Sequence, residues 1–360
     1  MAKKVRVGVN GYGVIGKRVA DAVRTQDDME LVGVTDVAHD YRIRLAANLG
    51  MDVYAASPDK ANEMRDAGVL LAGMLTDLLQ QVDVIVDATP KGIGAQNLAA
   101  YRAAGVKAIF QGGEKHELTG HSFVAQANYA SALNRDATRV VSCNTTATVR
   151  TLGELQKAGW LKKARGVLVR RAADPWESHQ EGIINTLVPE KHIPSHQAPD
   201  AKTVLPDLDV VTMAAKAPIN SSHCHMWFVE LTRRVTKDEA LAVFRAAPRI
   251  VFTHVRHGLV ALNSVLEMMS DLKRPRGDLW EVALWEDILA VDGNELYYAY
   301  QVDNQAIVVP ENIDAIRALT GIERDAERSI EKTDRALGMF SGYLPFFEEV
   351  MRNENTAAMR

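Results

Sequence analysis

Residues 5–24 read VRVGVNGYGVIGKRVADAVR, and this stretch decides the fold. Val5–Val9 is a short β-branched run that predicts a buried strand, and it leads into a glycine-rich turn. Lys17–Arg24 continues with apolar residues spaced for one face of a helix. A strand, a glycine-rich turn and a helix in this order predict the first unit of a doubly wound α/β domain.

The next hundred residues continue this alternation of buried strands and helices. The further strands are predicted at Leu31–Val34, Asp83–Ala88 and Lys107–Phe110, and a run at Val140–Val141 leads into Cys143. Such alternation favours a parallel sheet with helices on both faces. We therefore predict a Rossmann-type dinucleotide-binding domain over residues 1–142.

The predicted secondary structure changes from Gly166 onward. Longer strands with one polar face are predicted at 166–174, 209–218 and 226–235, and a helix at 237–246. They indicate an α+β domain with a mostly antiparallel or mixed sheet, which we assign to residues 143–305. The stretch 174–208 reads as a long loop, and helices follow at 311–319 and about 325–340.

Composition excludes several classes of protein. The chain has 360 residues, a net charge of −4 and only two cysteines, so neither a disulfide framework nor a four-cysteine zinc site is predicted. The weak negative charge gives no general attraction to nucleic acid or to an anionic membrane. No uninterrupted apolar run is long enough for a membrane span, and we expect a soluble cytoplasmic protein without a metal.

Gly11, Gly13 and Gly16 form a GxGxxG motif between the first strand and its helix. This arrangement lets a pyrophosphate approach the backbone at a helix N-terminus, although a glycine-rich structural turn is the alternative. Asp36 ends the second strand, about twenty residues later, where an acid binds the adenosine ribose hydroxyls. A carboxylate there repels a 2′-phosphate and so predicts NAD over NADP, unless Asp36 is an ordinary turn residue.

The two cysteines lie in different settings. Cys143 precedes a Thr-rich helix start, where the helix dipole lowers the pKa of a thiol, but a buried inert cysteine fits the local pattern equally well. Cys224 lies between His223 and His225 on a predicted strand, so its side chain points away from theirs. One of the histidines is a candidate base for Cys143, and polar surface histidines are the alternative.

Arg170 and Arg171 are neighbours on a predicted strand, so at most one is expected to face a site. An arginine there suits bidentate binding of phosphate, and a solvated basic pair is the alternative. His196 lies in the long loop and is a further candidate for an anion contact or a turn cap.

Several longer blocks occur in one order along the chain: NGYGVIGKRVADAV, IFQGGEKHE, RVVSCNTT, VRRAAD, IPSH, the paired histidines and VVPENIDAIRA. In these blocks the sequence resembles the archaeal-type (type II) phosphorylating glyceraldehyde-3-phosphate dehydrogenases, from about Val5 to Ala318. The resemblance implies an NAD- or NADP-dependent oxidoreductase that forms a homotetramer. It also implies that residues 306–360 pack as helices on the first domain.

The resemblance implies roles for individual residues. Cys143 matches the nucleophile, which attacks the aldehyde to form a hemithioacetal and then a thioester, and His223 matches the base. Cofactor contacts are implied for Val14 and Ile15 in the glycine motif and for Gly113, Arg171 and Asn304, in addition to the glycines and Asp36 predicted above. Substrate contacts are implied for Ser142, Asn144, His196 and Gln197, and we add Thr145 and Arg170 as candidates from their side-chain chemistry.

Three positions depart from the family pattern. Asp36 stands where members often carry lysine, Gln197 replaces the second of two histidines, and Asn304 replaces a longer glutamine. The first change sharpens the NAD prediction, and the other two alter one polar contact each. The alternatives are another Cys/His semialdehyde or acyl-phosphate dehydrogenase, or a catalytically silent NAD-binding redox sensor.

Overall fold

The computed structural model describes residues 4–172, 187–219 and 221–343. Their contacts group into two compact units. The first unit comprises Met1–Ser142 with Val308–Leu337, and the second comprises Cys143–Ile307 with the chain from Gly338 onward. Each unit is built around its own sheet.

In the first unit, the described strands form one fully parallel sheet. They are β1 (Val5–Asn10), β2 (Met29–Asp36), β3 (Val53–Ala55), β4 (Gly73–Met74), β5 (Val84–Asp87), β6 (Lys107–Phe110), β7 (Ser122–Phe123) and β8 (Ala137–Val140). Their spatial order is β4-β3-β2-β1-β5-β6-β8-β7. The order reverses direction between β1 and β5, which is where doubly wound folds bind ligands.

Helices connect these strands, because parallel neighbours need crossover connections. They are α1 (Val14–Thr25), α2 (Tyr41–Asn48), α3 (Pro58–Asp66), α4 (Leu75–Leu79), α5 (Ile93–Ala103) and α6 (Ala125–Ala132). Val7, Val9 and Ile85 of the central strands are fully buried, as the apolar runs predict. The first helix begins three residues before the predicted Lys17, because it starts inside the glycine motif.

The second unit opens with α7 (Cys143–Lys157) and continues into longer strands. Its elements are β9 (Leu161–Arg171), β10 (Val188–Pro189), α8 (Gln197–Lys202), β11 (Val210–Ala217), β12 (His223–Leu231), α9 (Lys237–Ala246), β13 (Ile250–Thr253), α10 (Leu262–Asp271), β14 (Val282–Trp285), β15 (Ala290–Asp292) and β16 (Glu295–Val302). Helix α9 has the predicted bounds, because Thr236 and Glu239 form a capping box at its start.

The sheet of the second unit is mixed, as predicted. Strand β12 lies antiparallel to both β9 and β16, whereas β11 runs parallel to β9. Part of the predicted loop at 174–208 is ordered as β10 and α8, and residues 174–186 lie outside the description. None of the described helices is long and apolar enough to cross a membrane.

Two helices after residue 307 belong to the first unit, α11 (Val309–Thr320) and α12 (Ala326–Leu337). The buried Arg317 guanidinium anchors α11 to the chain after α1, through an ion pair with Asp28 and a hydrogen bond to Gln26. The chain then differs from the expected block 306–360, because β17 (Gly342–Tyr343) pairs with β13 of the second unit. Residues 344–360 lie outside the description.

Candidate active site

The glycine motif forms a tight, open turn at the N-terminus of α1. Gly11 has a φ of +94°, and a Cβ there would lie 2.8 Å from the backbone of Ala88. A Cβ on Gly16 would lie 1.8 Å from the carbonyl oxygen of Gly11, so only glycine fits. By contrast, a Cβ on Gly13 would meet nothing within 4 Å, and no side chain caps the helix at this residue.

This geometry fits a dinucleotide. Gly13, the N-cap residue of α1, has no side chain with which to cap the first N–H groups, and the partly exposed Val14 and Ile15 occupy the first turn. Such a helix end provides donors and a positive dipole for a pyrophosphate. Gly113, a further predicted contact, is exposed and has only Lys91 near its Cβ position.

Asp36 lies at the end of β2, beside the glycine motif. Its Oδ2 accepts the N–H of Tyr12 at 2.6 Å, and its Oδ1 accepts the N–H groups of Val37 and Ala38 at 2.7 and 2.9 Å. The carboxylate therefore shapes the glycine turn in addition to any ligand contact. A carboxylate offers about four acceptor positions, so one remains after these three bonds.

Cys143 is the first residue of α7 and begins the candidate catalytic centre in the second unit. The predicted helix starts two residues earlier than Thr145, so the thiol itself lies at the helix N-terminus. Cys143 Sγ lies 3.3 Å from Nε2 of His223, the first residue of β12. The structure thus brings together the two predicted catalytic residues, which are 80 positions apart in the chain.

His223 is buried, and its other ring nitrogen is also occupied. Nδ1 accepts the backbone N–H of Arg171 at 3.1 Å. Burial, the neighbouring His225 and the two arginines hold the pKa of His223 well below its usual value, so the ring is neutral at pH 7. A neutral ring whose Nδ1 accepts carries its proton on Nε2. His223 therefore donates to Cys143 Sγ, whereas the predicted base would need the opposite tautomer.

The thiol is subject to opposing influences. Burial raises the pKa of Cys143 to about 11, while Arg171, the backbone N–H of Asn144 and Arg170 act to lower it. Both arginines of the RRAAD segment therefore influence the thiol, although adjacent strand residues point to opposite faces. Asp303 adds a smaller effect that raises the pKa.

His223 is positioned by a strained residue immediately before it. Ser222 has a φ of +66°, which is uncommon for a residue other than glycine. The N–H of Ser222 donates to Oδ1 of Asn304 at 2.8 Å, and its hydroxyl accepts from Gln301 at 2.8 Å. Asn304, a predicted cofactor contact, thus uses its amide oxygen to hold the turn that precedes His223.

The predicted anion contacts form a second group. Arg170 pairs with Glu190, and Glu190 also lies 3.2 Å from Nδ1 of the exposed His196. Gln197 is fully buried, and its Oε1 has no hydrogen-bond partner among the described residues. Glu190 and His196 also line a cavity with Ser195 and Lys216.

Thr145 has a partner inside the protein. Its hydroxyl is buried and donates to Oδ2 of Asp200 in α8 at 2.7 Å. The hydroxyl proton is thus bound by a carboxylate of the protein, and a contact of Thr145 with a substrate anion stays a prediction. Ser142, by comparison, is partly exposed.

The second histidine of the pair is not a surface residue. His225 is completely buried, and its Nε2 lies 2.8 Å from Oδ1 of Asn144. The i, i+2 spacing places it on the same face of β12 as His223, but its hydrogen-bond partners could not be predicted from the sequence. Within the described ranges, no group of three or more His, Cys, Asp or Glu residues is arranged to hold a metal ion.

Comparisons with known proteins show the family to which the chain is similar. Residues 142–274 match the family described as glyceraldehyde 3-phosphate dehydrogenase, C-terminal domain, and residues 5–119 match the dihydrodipicolinate reductase N-terminus. The glyceraldehyde-3-phosphate dehydrogenase of Methanobrevibacter smithii is 46% identical over 92% of this chain and 99% of its own. That of Thermococcus kodakarensis is 46% identical over 93% and 99%, and that of Methanothermus fervidus 43% identical over 92% and 98%.

This chain belongs to the glyceraldehyde-3-phosphate dehydrogenase family. The predicted resemblance and fold class are therefore confirmed, as is the assignment to NAD(P)-dependent oxidoreductases. The role of residues 11–16 in binding the cofactor stays a prediction.

Gly13 and Gly16 should respond differently to the same added methyl group. Gly13→Ala has room for its Cβ and should fold normally, but the methyl lies where the cofactor pyrophosphate approaches, so the KM for NAD should rise about tenfold. Gly16→Ala should lose about 3 kcal/mol of stability, because its Cβ collides with Gly11. Thermal unfolding and cofactor titration of both variants test this, and an unchanged KM in folded Gly13→Ala would contradict it.

Proposed function

We propose that this protein catalyses the reversible, phosphorylating oxidation of D-glyceraldehyde 3-phosphate to 1,3-bisphosphoglycerate, with NAD preferred over NADP. The contact of 3.3 Å between Cys143 Sγ and His223 Nε2, at a helix N-terminus, carries the proposal. It supplies a nucleophile and a hydrogen-bonding partner within the distance that covalent catalysis needs. We assign the enzyme to glycolysis or gluconeogenesis in the cytoplasm.

Cys143 acts as the nucleophile. The thiol proton passes to solvent water, which the partly exposed Cys143 can reach. The resulting thiolate attacks the aldehyde carbon, which forms a carbon–sulfur bond and leaves a negatively charged oxygen on the hemithioacetal. The nicotinamide of the bound cofactor supplies the hydride acceptor. Inorganic phosphate then attacks the resulting thioester, and the thiolate leaves with the electrons of the carbon–sulfur bond. Arg171 and Arg170 favour the negative charge on sulfur at the beginning and end of this cycle.

His223 supports these steps as a hydrogen-bond donor. In the tautomer that accepts the Arg171 N–H, its Nε2–H donates to the thiolate and, during reaction, to the charged oxygen of the substrate. The oxygen needs no base in this scheme, because it is already deprotonated when the hydride leaves. The Cys143 backbone N–H is the second proposed donor to this oxygen.

The remaining contacts are proposed from the positions of the residues, and Gln197 is the one that departs from the family pattern. Ser142, Asn144, His196, Gln197 and Arg170 are proposed to contact the substrate or phosphate. Oε1 of Gln197, which has no hydrogen-bond partner in the described part of the chain, supports a contact with a substrate hydroxyl, because that oxygen can only accept a hydrogen bond. Thr145 is a less suitable anion contact than expected, since Asp200 takes its hydroxyl proton.

The cofactor is proposed to lie along the glycine motif. Gly11, Gly13, Val14, Ile15 and Gly16 hold the pyrophosphate at the start of α1, and Gly113, Arg171 and Asn304 are further proposed contacts. The fourth acceptor position of Asp36 supports a bond from a ribose hydroxyl. A 2′-phosphate in the same place would meet a carboxylate, which supports NAD.

We further propose a homotetramer. The outer face of the sheet in the second unit carries exposed apolar side chains in register across three strands, with Val167 of β9 opposite both Met213 of β11 and Met226 of β12. Phe228, two residues after Met226 on β12, extends this apolar row and packs its ring edge-on against Tyr297. An exposed apolar sheet face of this kind supports an interface with a second copy of the chain.

The two thiols provide a matched test of the mechanism. Cys143→Ser should lose at least about 1,000-fold in kcat for oxidation of glyceraldehyde 3-phosphate, because a hydroxyl is a much poorer nucleophile. Cys224→Ser should stay near wild type, since this side chain lies on the opposite face of β12 from His223. NADH formation with aldehyde, phosphate and NAD measures both. A panel of semialdehydes and acyl phosphates tests the substrate assignment. Substantial turnover by Cys143→Ser would contradict the mechanism.

Asp36 should set the cofactor preference. Asp36→Asn removes the charge repulsion between this side chain and the 2′-phosphate of NADP. The ratio of the two kcat/KM values, NAD over NADP, should therefore fall by about tenfold or more. Asp40→Asn is the control, since this carboxylate pairs with Arg42 and caps α2. A wild-type enzyme that prefers NADP, or equal effects of the two variants, would contradict the assignment.

The outer sheet face should control assembly. Met226→Glu places a charge in the centre of the apolar row and should convert the tetramer to smaller species in sedimentation velocity. Leu70→Glu makes the same kind of change at a side chain that is 88% exposed in the first unit, and it should remain tetrameric. The proposal fails if Met226→Glu sediments like Leu70→Glu.

A further inference from the structure

A chain of four buried side chains ends at the sulfur of Cys143. Trp227 Nε1 lies 2.9 Å from the hydroxyl of Tyr300, which lies 3.0 Å from Nδ1 of His225. His225 Nε2 lies 2.8 Å from Oδ1 of Asn144, and Asn144 Nδ2 lies 3.8 Å from Cys143 Sγ. Each of the four residues is at most 3% exposed, so solvent does not compete for these contacts.

The direction of every hydrogen bond in this chain is determined by its ends. The Asn144 oxygen can only accept, so His225 Nε2 carries the proton and donates to it. A neutral His225 with its proton on Nε2 accepts at Nδ1, so the Tyr300 hydroxyl donates there, and its oxygen accepts from the Trp227 indole, which can only donate. Burial lowers the pKa of His225 to about 3, so the ring is neutral in the working pH range.

The sheet register and the start of α7 create this arrangement. His225 lies directly opposite Tyr300 in the antiparallel pair of β12 and β16. Trp227 follows two residues later and therefore points to the same face of β12. Asn144 is the second residue of α7, immediately after the nucleophile.

We infer that His225, Tyr300 and Trp227 are positioning residues that hold the Asn144 amide with its N–H group towards Cys143 Sγ. The opposite amide orientation would place a carbonyl oxygen against the sulfur and would disfavour the thiolate. Asn144 thus adds a donor to that of His223 on the anionic nucleophile. The inference rests on the proposed function, because the four residues act through Cys143, the proposed nucleophile.

The test measures the thiolate without substrate or cofactor. In a Cys224→Ser background Cys143 is the one remaining thiol, since the chain has two cysteines. The rate of its alkylation by iodoacetamide is followed against pH. Tyr300→Phe removes the donor to His225 Nδ1, and the tautomer and the Asn144 amide are then free to reverse. The rising limb of the profile should move up by about one pH unit, which is about tenfold slower alkylation at a fixed pH.

Tyr298→Phe is the matched control. It removes one buried hydroxyl from the same strand, but that hydroxyl is not part of the chain to Asn144. Its alkylation profile should equal that of the parent. Neither substitution alters Arg170, Arg171, His223 or Asp303, the other titratable groups that act on the thiol or face it. Equal profiles for the two variants would overturn the inference.

Two further variants test the order of the chain. In an Asn144→Ala background Tyr300→Phe should cause no further change, because the group that the chain orients is absent. His225→Gln retains a donor and an acceptor and should stay closer to the parent profile than His225→Leu. A full additive shift in the Asn144→Ala background would overturn the inference. Failure of the proposed function is seen separately, as turnover by Cys143→Ser.

Discussion

The contact between Cys143 and His223 depends on where two elements begin. Helix α7 starts at the cysteine, and β12 starts at the histidine, so each functional group occupies the first position of its element. The chain reaches His223 through Ser222, whose positive φ is maintained by Asn304 and Gln301. A backbone in this conformation persists only when its surroundings fix it. The polar residues at the end of β16 and just beyond are therefore as necessary for the active site as the catalytic pair.

The sequence predicted features that depend on local sterics or on capping. The glycine turn is required by contacts within the motif, such as the approach of Gly16 to Gly11, and α9 is defined by a capping box. The residues alone predicted one of the paired histidines as a candidate partner of Cys143, and only the family resemblance singled out His223. The partners of His225 were not predictable, because they depend on the register of β12 against β16, about 75 residues away.

Several residues predicted to bind ligands also serve the protein itself. Asp36 accepts three backbone N–H groups, Thr145 donates to Asp200, and Asn304 holds the N–H of Ser222. Buried polar groups need hydrogen-bond partners, so some donors and acceptors of the site residues bond to the protein and are not available to a ligand. A sequence motif reveals the residue type at a position but not which of its donors and acceptors remain for a ligand.

Burial and the nearby arginines act in opposite directions on the pKa of the Cys143 thiol and in the same direction on the pKa of His223. Burial raises the pKa of the thiol and lowers that of the imidazole, so desolvation opposes a thiolate–imidazolium ion pair. Arg171 and Arg170 break this symmetry, because their positive charges favour an anionic sulfur and disfavour a cationic His223. The Arg171 N–H on Nδ1 acts in the same direction. The arginines thus reduce the effect of burial on the thiol without outweighing it, because the pKa of Cys143 stays raised to about 11. The neutral donors stabilise negative charge on sulfur and on the substrate oxygen without carrying charge themselves.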